Sequence, residues 1–122
     1  MQTYSLEEQA KHRREWTTAL RSGEYTQCLD WFKNYKGEYC ATGVGYELST
    51  DFKMPKDVRL GADLSHIRII GRLENTEKEK KEEFCNYYGL RPYEYEEIIN
   101  ENDDGASFED LANYIDSLIE RG

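Results

Sequence analysis

Phe108, Leu111, Ala112, Ile115, Leu118 and Ile119 follow the spacing i, i+3, i+4, i+7, which lays one apolar stripe along a helix capped at Ser107. Such a helix has to be covered along its stripe, so this segment must pack on the rest of the chain. The helix before it starts at Pro92, a residue suited to a first helical turn, carries Tyr95, Ile98 and Ile99, and stops near Gly105. From Pro92 to Glu120 there are ten acidic side chains and not one Lys or Arg. The formal net charge of the 122 residues is -9, and removing the -10 of this window leaves about +1 for everything else. The acidity therefore belongs to one patterned C-terminal block.

The apolar fraction, 38%, is low against the ~45–50% of ordinary domains. Ten Tyr, four Phe and two Trp offset that deficit, because each buries a large area. Charged residues reach 34%, yet disordered chains are poor in aromatics and this one is not. The expectation is one folded domain over residues 1–122. No run approaches the ~18 apolar residues of a membrane span, and Met1 to Arg14 lacks the apolar region of a secretory leader. Three cysteines, Cys28, Cys40 and Cys85, are too few and too oddly numbered for a disulfide framework, which points to a reducing cytoplasm. The acidic balance disfavours direct nucleic-acid binding, which draws most of its affinity from cationic contacts to phosphate.

Along the chain, Ser5-Leu6-Glu7-Glu8 is a capping box opening a helix to about Arg21, with Gly23 as its left-handed stop. Lys11, His12 and Arg14 make this helix locally basic, so it and the acidic block can face each other. Tyr25 to Phe32 has β-type composition, Asn34 to Gly37 a turn, and Glu38 to Ala41 suits a returning strand. Ala41 to Leu48 reads equally as strand or short helix, since its glycines weaken both. Ser49 to Asp63 is irregular, and the partial alternation of Leu64 to Leu73 suggests another strand. Thr76 to Glu79 is a second capping box, opening a charged helix that ends at Gly89. The resulting expectation is an α+β fold: an N-terminal helix, a small antiparallel β-sheet in the middle, and C-terminal helices.

Two segments carry a resemblance. One is Trp16-x-x-Ala19-Leu20-x-Ser22-Gly23-x-Tyr25-x-Gln27, followed by Tyr39-Cys40-Ala41-Thr42-Gly43-Val44. The other is Asn102-Asp103-x-Gly105-x-Ser107-Phe108-x-x-Leu111-Ala112-x-x-Ile115. Together they resemble a group of small uncharacterised phage and bacterial proteins, over about a third of the chain at its two ends. The resemblance implies a phage or bacterial setting and brings no function. Ala41 and Thr42 stand where the group has Cys and Leu, so no Cys-Cys chemistry carries over.

Several candidate chemistries stand against plainer readings. Asn100, Asn102, Asp104 and Gly105 imitate the start of a calcium loop, but Ser107 and Leu111 occupy the positions of its aliphatic and its bidentate Glu. A divalent-cation module is therefore one alternative, with a helix end, turn and N-cap as the plain reading. Gly105 to Ala112 also resembles the first helix of a helix-turn-helix, yet no basic recognition helix follows it. His12, His66 and the three cysteines lack the short spacings of structural zinc sites, so no metal or cofactor is expected. Cys40 with His66 is the least unsuitable pair for a small hydrolase or thiol enzyme, though nothing adjacent marks Cys40 as activated. Gly43-Val44-Gly45 lacks the remaining residues of a phosphate loop and reads as close backbone packing. The leading expectation is a non-enzymatic protein, an inhibitor or nucleic-acid mimic, that binds a basic protein surface. Its contact residues would be Glu94, Glu96, Glu97, Glu101, Asp103, Asp104, Glu109 and Asp110, with aromatic Tyr93, Tyr95 and Tyr114 among them.

Overall fold

Helix signals written into the sequence are answered by the backbone. The computed structural model describes residues 3–34, 36–49, 58–59 and 77–118. Its elements are α1 (Leu6–Arg21), β1 (Trp31–Lys33), α2 (Ala41–Leu48), β2 (Val58–Arg59), α3 (Glu77–Tyr88), α4 (Pro92–Asp103) and α5 (Phe108–Ser117). At the start of α1 the Ser5 and Glu8 side chains and backbones cap one another, at 2.9 and 3.1 Å. Gly23, Gly89 and Gly105 all take positive φ just past helix ends. At the end of α4, Ala106 N–H reaches Glu101 O and Gly105 N–H reaches Asn102 O, the paired bonds of a glycine-stopped helix. Thr76 and the strand expected at Leu64 to Leu73 lie outside the described residues.

The α+β expectation is corrected: the described residues are mostly helical. Strand pairing among them is confined to β1 with β2, Trp31 opposite Arg59 and Lys33 opposite Val58, and to isolated bridges from Tyr39 to Gln27 and Lys33. Two or three residues cannot form a layer of a core, so among the described residues the short antiparallel pairing of β1 with β2 does not amount to the expected sheet. The physical reason lies at two residues. Asp30 takes φ +67, a conformation Asp tolerates better than most, and this breaks the extended path from Tyr25 to Phe32. Cys40, expected in a returning strand, instead caps α2, its Sγ accepting from Gly43 N–H at 3.3 Å. The turn expected at Asn34 to Gly37 is present, with Gly37 N–H on Asn34 O and Asn34 Oδ1 accepting from the N–H groups of Lys36 and Glu38.

Helix α2 is buried along most of its length, and its glycines are what let it be. A Cβ on Gly43 would sit 1.9 Å from the Phe32 carbonyl oxygen, and one on Gly45 would sit 2.6 Å from the Phe84 ring. The core around it is aromatic. Trp16 packs edge-on to Phe84 and tilted against Tyr88, Phe32 packs edge-on to Tyr46, and Phe84 also meets Tyr46 and Tyr95. The polar tips of these rings are all engaged: Trp16 Nε1 donates to Ala41 O, Tyr88 hydroxyl donates to Gly45 O, and the Tyr46 and Tyr95 hydroxyls meet at 2.8 Å. The inward stripe of α5 (Phe108, Leu111, Ala112, Ile115) joins the same cluster.

Helix α1 also closes the end of α3. Gln9, His12 and Arg13, on one face at i, i+3 and i+4, meet the carbonyls of Asn86, Tyr87 and Tyr88 at 2.8, 2.7 and 2.7 Å. These are carbonyls a helix leaves without intrahelical partners. Because a carbonyl only accepts, the His12 proton sits on Nδ1, and the ring lies flat on Tyr87 with centroids 3.7 Å apart.

Candidate functional site

Helix α4 is the element on which the acidic expectation rests. Arg91 is its N-cap, Pro92 its first residue, and the Glu94 carboxylate accepts the Arg91 N–H at 2.7 Å. Its inner face is Glu94, Tyr95, Ile98 and Asn102, all buried. Its outer face is Tyr93, Glu96, Glu97, Asn100, Glu101 and Asp104, all exposed. These positions recur every three to four residues and form one continuous stripe about 18 Å long at ~1.5 Å per residue. Tyr93, 58% exposed, stands at its start.

The eight acids named from the sequence do not form one surface. Glu94 is buried and caps its own helix. Asp103 is half-buried, and its Oδ1 accepts from Asp30 N–H at 3.0 Å, so it holds the left-handed turn described above. Glu109 accepts from Arg21 Nε at 2.8 Å. Arg21 Nη1 also pairs with Asp116 at 2.7 Å and Nη2 donates to Asn113 at 2.8 Å. Asn113 and Asp116 lie four and seven residues after Glu109, on one face of α5, so the end of α1 is clamped across that helix. The basic first helix and part of the acidic block do face each other, and these contacts raise the Arg21 pKa, the bond to Glu109 most. Glu96 pairs with Lys81 of α3, and Glu97 accepts from the Tyr114 hydroxyl at 3.1 Å. Burial, and then this bond to Glu97, hold the Tyr114 hydroxyl above its usual pKa. Glu101, Asp104 and Asp110 are exposed.

Asn102 is the residue whose structural role sequence reasoning missed. The imitation calcium loop needs its oxygen turned outward, whereas its side chain is fully buried. Oδ1 accepts from Gln27 Nε2 at 2.9 Å and from Ala41 N–H at 3.2 Å, and Nδ2 donates to Cys28 O at 3.0 Å. Gln27 Nε2 also donates to Ala106 O at 2.7 Å. One carboxamide thus ties the end of α4 to the Gln27–Cys28 segment and the start of α2. Among the described residues, no three His, Cys, Asp or Glu side chains gather as metal ligands.

The thiol chemistry fares no better. Cys40 is completely enclosed, and burial pushes its thiol up to about 12. A thiol so placed stays protonated at neutral pH and is a poor nucleophile. His66 lies outside the described residues. No family model, curated protein or solved structure matches the chain. Among the described residues, no helix is long and apolar enough to cross a membrane.

Proposed function

We propose that this chain is a small acidic, non-enzymatic protein, working in the cytoplasm of a bacterial cell or of one infected by a phage, that binds a protein partner through the outer face of α4 and the start of α5. The observation that carries this reading is the stripe Tyr93, Glu96, Glu97, Asn100, Glu101 and Asp104, exposed on a helix whose opposite face is fixed in the core. A rigid row of one charge sign with an aromatic side chain at its start suits a basic groove, such as one that otherwise receives a nucleic-acid backbone. The cytoplasmic part rests on three buried cysteines, none of them in a disulfide. The exposed acids Glu96, Glu97, Glu101, Asp104 and Asp110 supply the contact in this reading, while Glu94 and Asp103 are engaged within the fold and Glu109 pairs with Arg21.

Capture from bacterial lysate, with the bound proteins identified by mass spectrometry, tests it. Wild-type chain should retain a basic protein at low salt and release it as ionic strength rises, because exposed charges are screened. The triple reversal Glu97→Lys, Glu101→Lys, Asp104→Lys should lose that protein while its circular dichroism is unchanged. Equal capture by folded wild type and variant would remove the acidic face from the explanation.

A further inference from the structure

Where α3 turns into α4, against the first turns of α1, the surface folds into a cleft of about 390 Å³. Arg13 and Arg91 are among the residues that line it, together with Gln9, Asn86, Leu6 and Leu90. Arg13 is only 3% exposed, and its Nη1 is fixed on the carbonyls of Tyr88 at 2.7 Å and Gly89 at 3.5 Å. Gln9 is fixed on Asn86 O. Arg91 is exposed, as is Leu6 at 64%. Acids are near as well: Glu94 accepts the Arg91 N–H, and Glu82, Glu94 and Glu96 all act on Cys85, which lines the cleft.

A cleft of this volume sits at the small end of ligand sites, which combine apolar walls with a few placed polar groups. Guanidinium forks match the paired oxygens of a carboxylate or phosphate. A cation held away from water acts more strongly on such a group than a mobile surface one. Leu6, a large apolar side chain left mostly in water, has no role in the core and lies where the non-polar part of a ligand would rest. We propose that this cleft binds a small amphipathic oxyanion, its carboxylate or phosphate monoester against Arg13 and Arg91 and its apolar body along Leu6 and Leu90. The site is separate from the acidic face of α4 and stands whether or not that face has a partner.

The test is a titration followed by backbone and arginine side-chain NMR, using sodium hexanoate, butyl phosphate, inorganic phosphate and the neutral hexanamide as probes. Hexanoate, butyl phosphate or both should give saturable shifts at Gly89, Leu90, Arg91 and Arg13 Nε–H, and which one does so names the oxyanion. Hexanamide should give none. Arg91→Gln should weaken binding about tenfold, the usual worth of one charge-assisted hydrogen bond. Leu6→Asn should weaken hexanoate without changing the response to inorganic phosphate. Both positions are exposed, so the variants should keep the wild-type spectrum elsewhere. Non-saturating shifts with every anion, equal binding of hexanamide, or unchanged affinity in Arg91→Gln would each overturn the proposal.

Discussion

Asn102 shows how much one side chain can decide. Replacing it with Ala leaves the Ala41 N–H and the Cys28 carbonyl without their carboxamide partner and frees Gln27 from one of its bonds. Each buried group so orphaned costs about 1–3 kcal/mol, and Asn102→Ala should lose about 2–4 kcal/mol in a urea titration. Addition of calcium should leave the wild-type midpoint where it is. Thr42 predicts the opposite sign. Its hydroxyl is buried with no hydrogen-bond partner among the described residues. Thr42→Val keeps the shape, removes the desolvated hydroxyl, and should raise stability by about 1 kcal/mol on the same titration. A loss there would mean that the hydroxyl has a partner after all.

Helices as units were the legible part of this sequence. Ser5, Gly23, Pro92, Gly105 and Ser107 each act within one turn of themselves, so their meaning needs no knowledge of the fold. Between Tyr25 and Leu48 the turn at Asn34 to Gly37 was legible, but the choice between strand and helix was not, for the reason the glycines supply. Gly43 and Gly45 lower helix propensity locally, and only the Phe32 backbone and the Phe84 ring, far away in sequence, make their bareness necessary. Asp30 is similar: its left-handed turn is held by Asp103, which no local pattern reveals. The candidate site was half legible. Charge was read correctly, but which acids cap, clamp or stay in water depended on Arg91, Arg21 and Asp30 arriving from elsewhere. For α1 the reciprocal cap makes a pH prediction. Hydrogen bonds from Ser5, the backbone one first, hold the Glu8 carboxyl below its usual pKa. A depressed carboxyl stabilises the fold above its unfolded pKa, and that contribution fades as pH falls through the lower folded value. Glu8→Gln should be less stable than wild type near neutrality, and this difference should shrink in acid, as read from denaturation midpoints.

The molecule taken together is set against alkali. Burial raises Cys40 from 9.0 to about 12, and Cys28 and Cys85 from 9.0 to about 11. Burial raises the hydroxyls of Tyr88 and Tyr95 as well. A folded pKa raised above the unfolded one gives stability that is complete below the unfolded value and is lost as pH climbs toward the folded value. Unfolding free energy should therefore fall from about pH 9 upward, more steeply than one group's limit of about 1.4 kcal/mol per pH unit. Denaturant midpoints across that range check this, and a flat profile would mean that the thiols ionise in place.

The partners of Asn102 are drawn from residues 27, 28 and 41, some sixty to seventy-five positions earlier in the chain. The helix that carries it can wind early, but its last turn has a polar group with nowhere to go until the first half of the chain is in place. Closure of this fold thus needs both halves of the chain. A nascent or nicked chain lacking either half would hold helices without a finished interior, and two separately made halves would meet at this carboxamide as the point of mutual recognition.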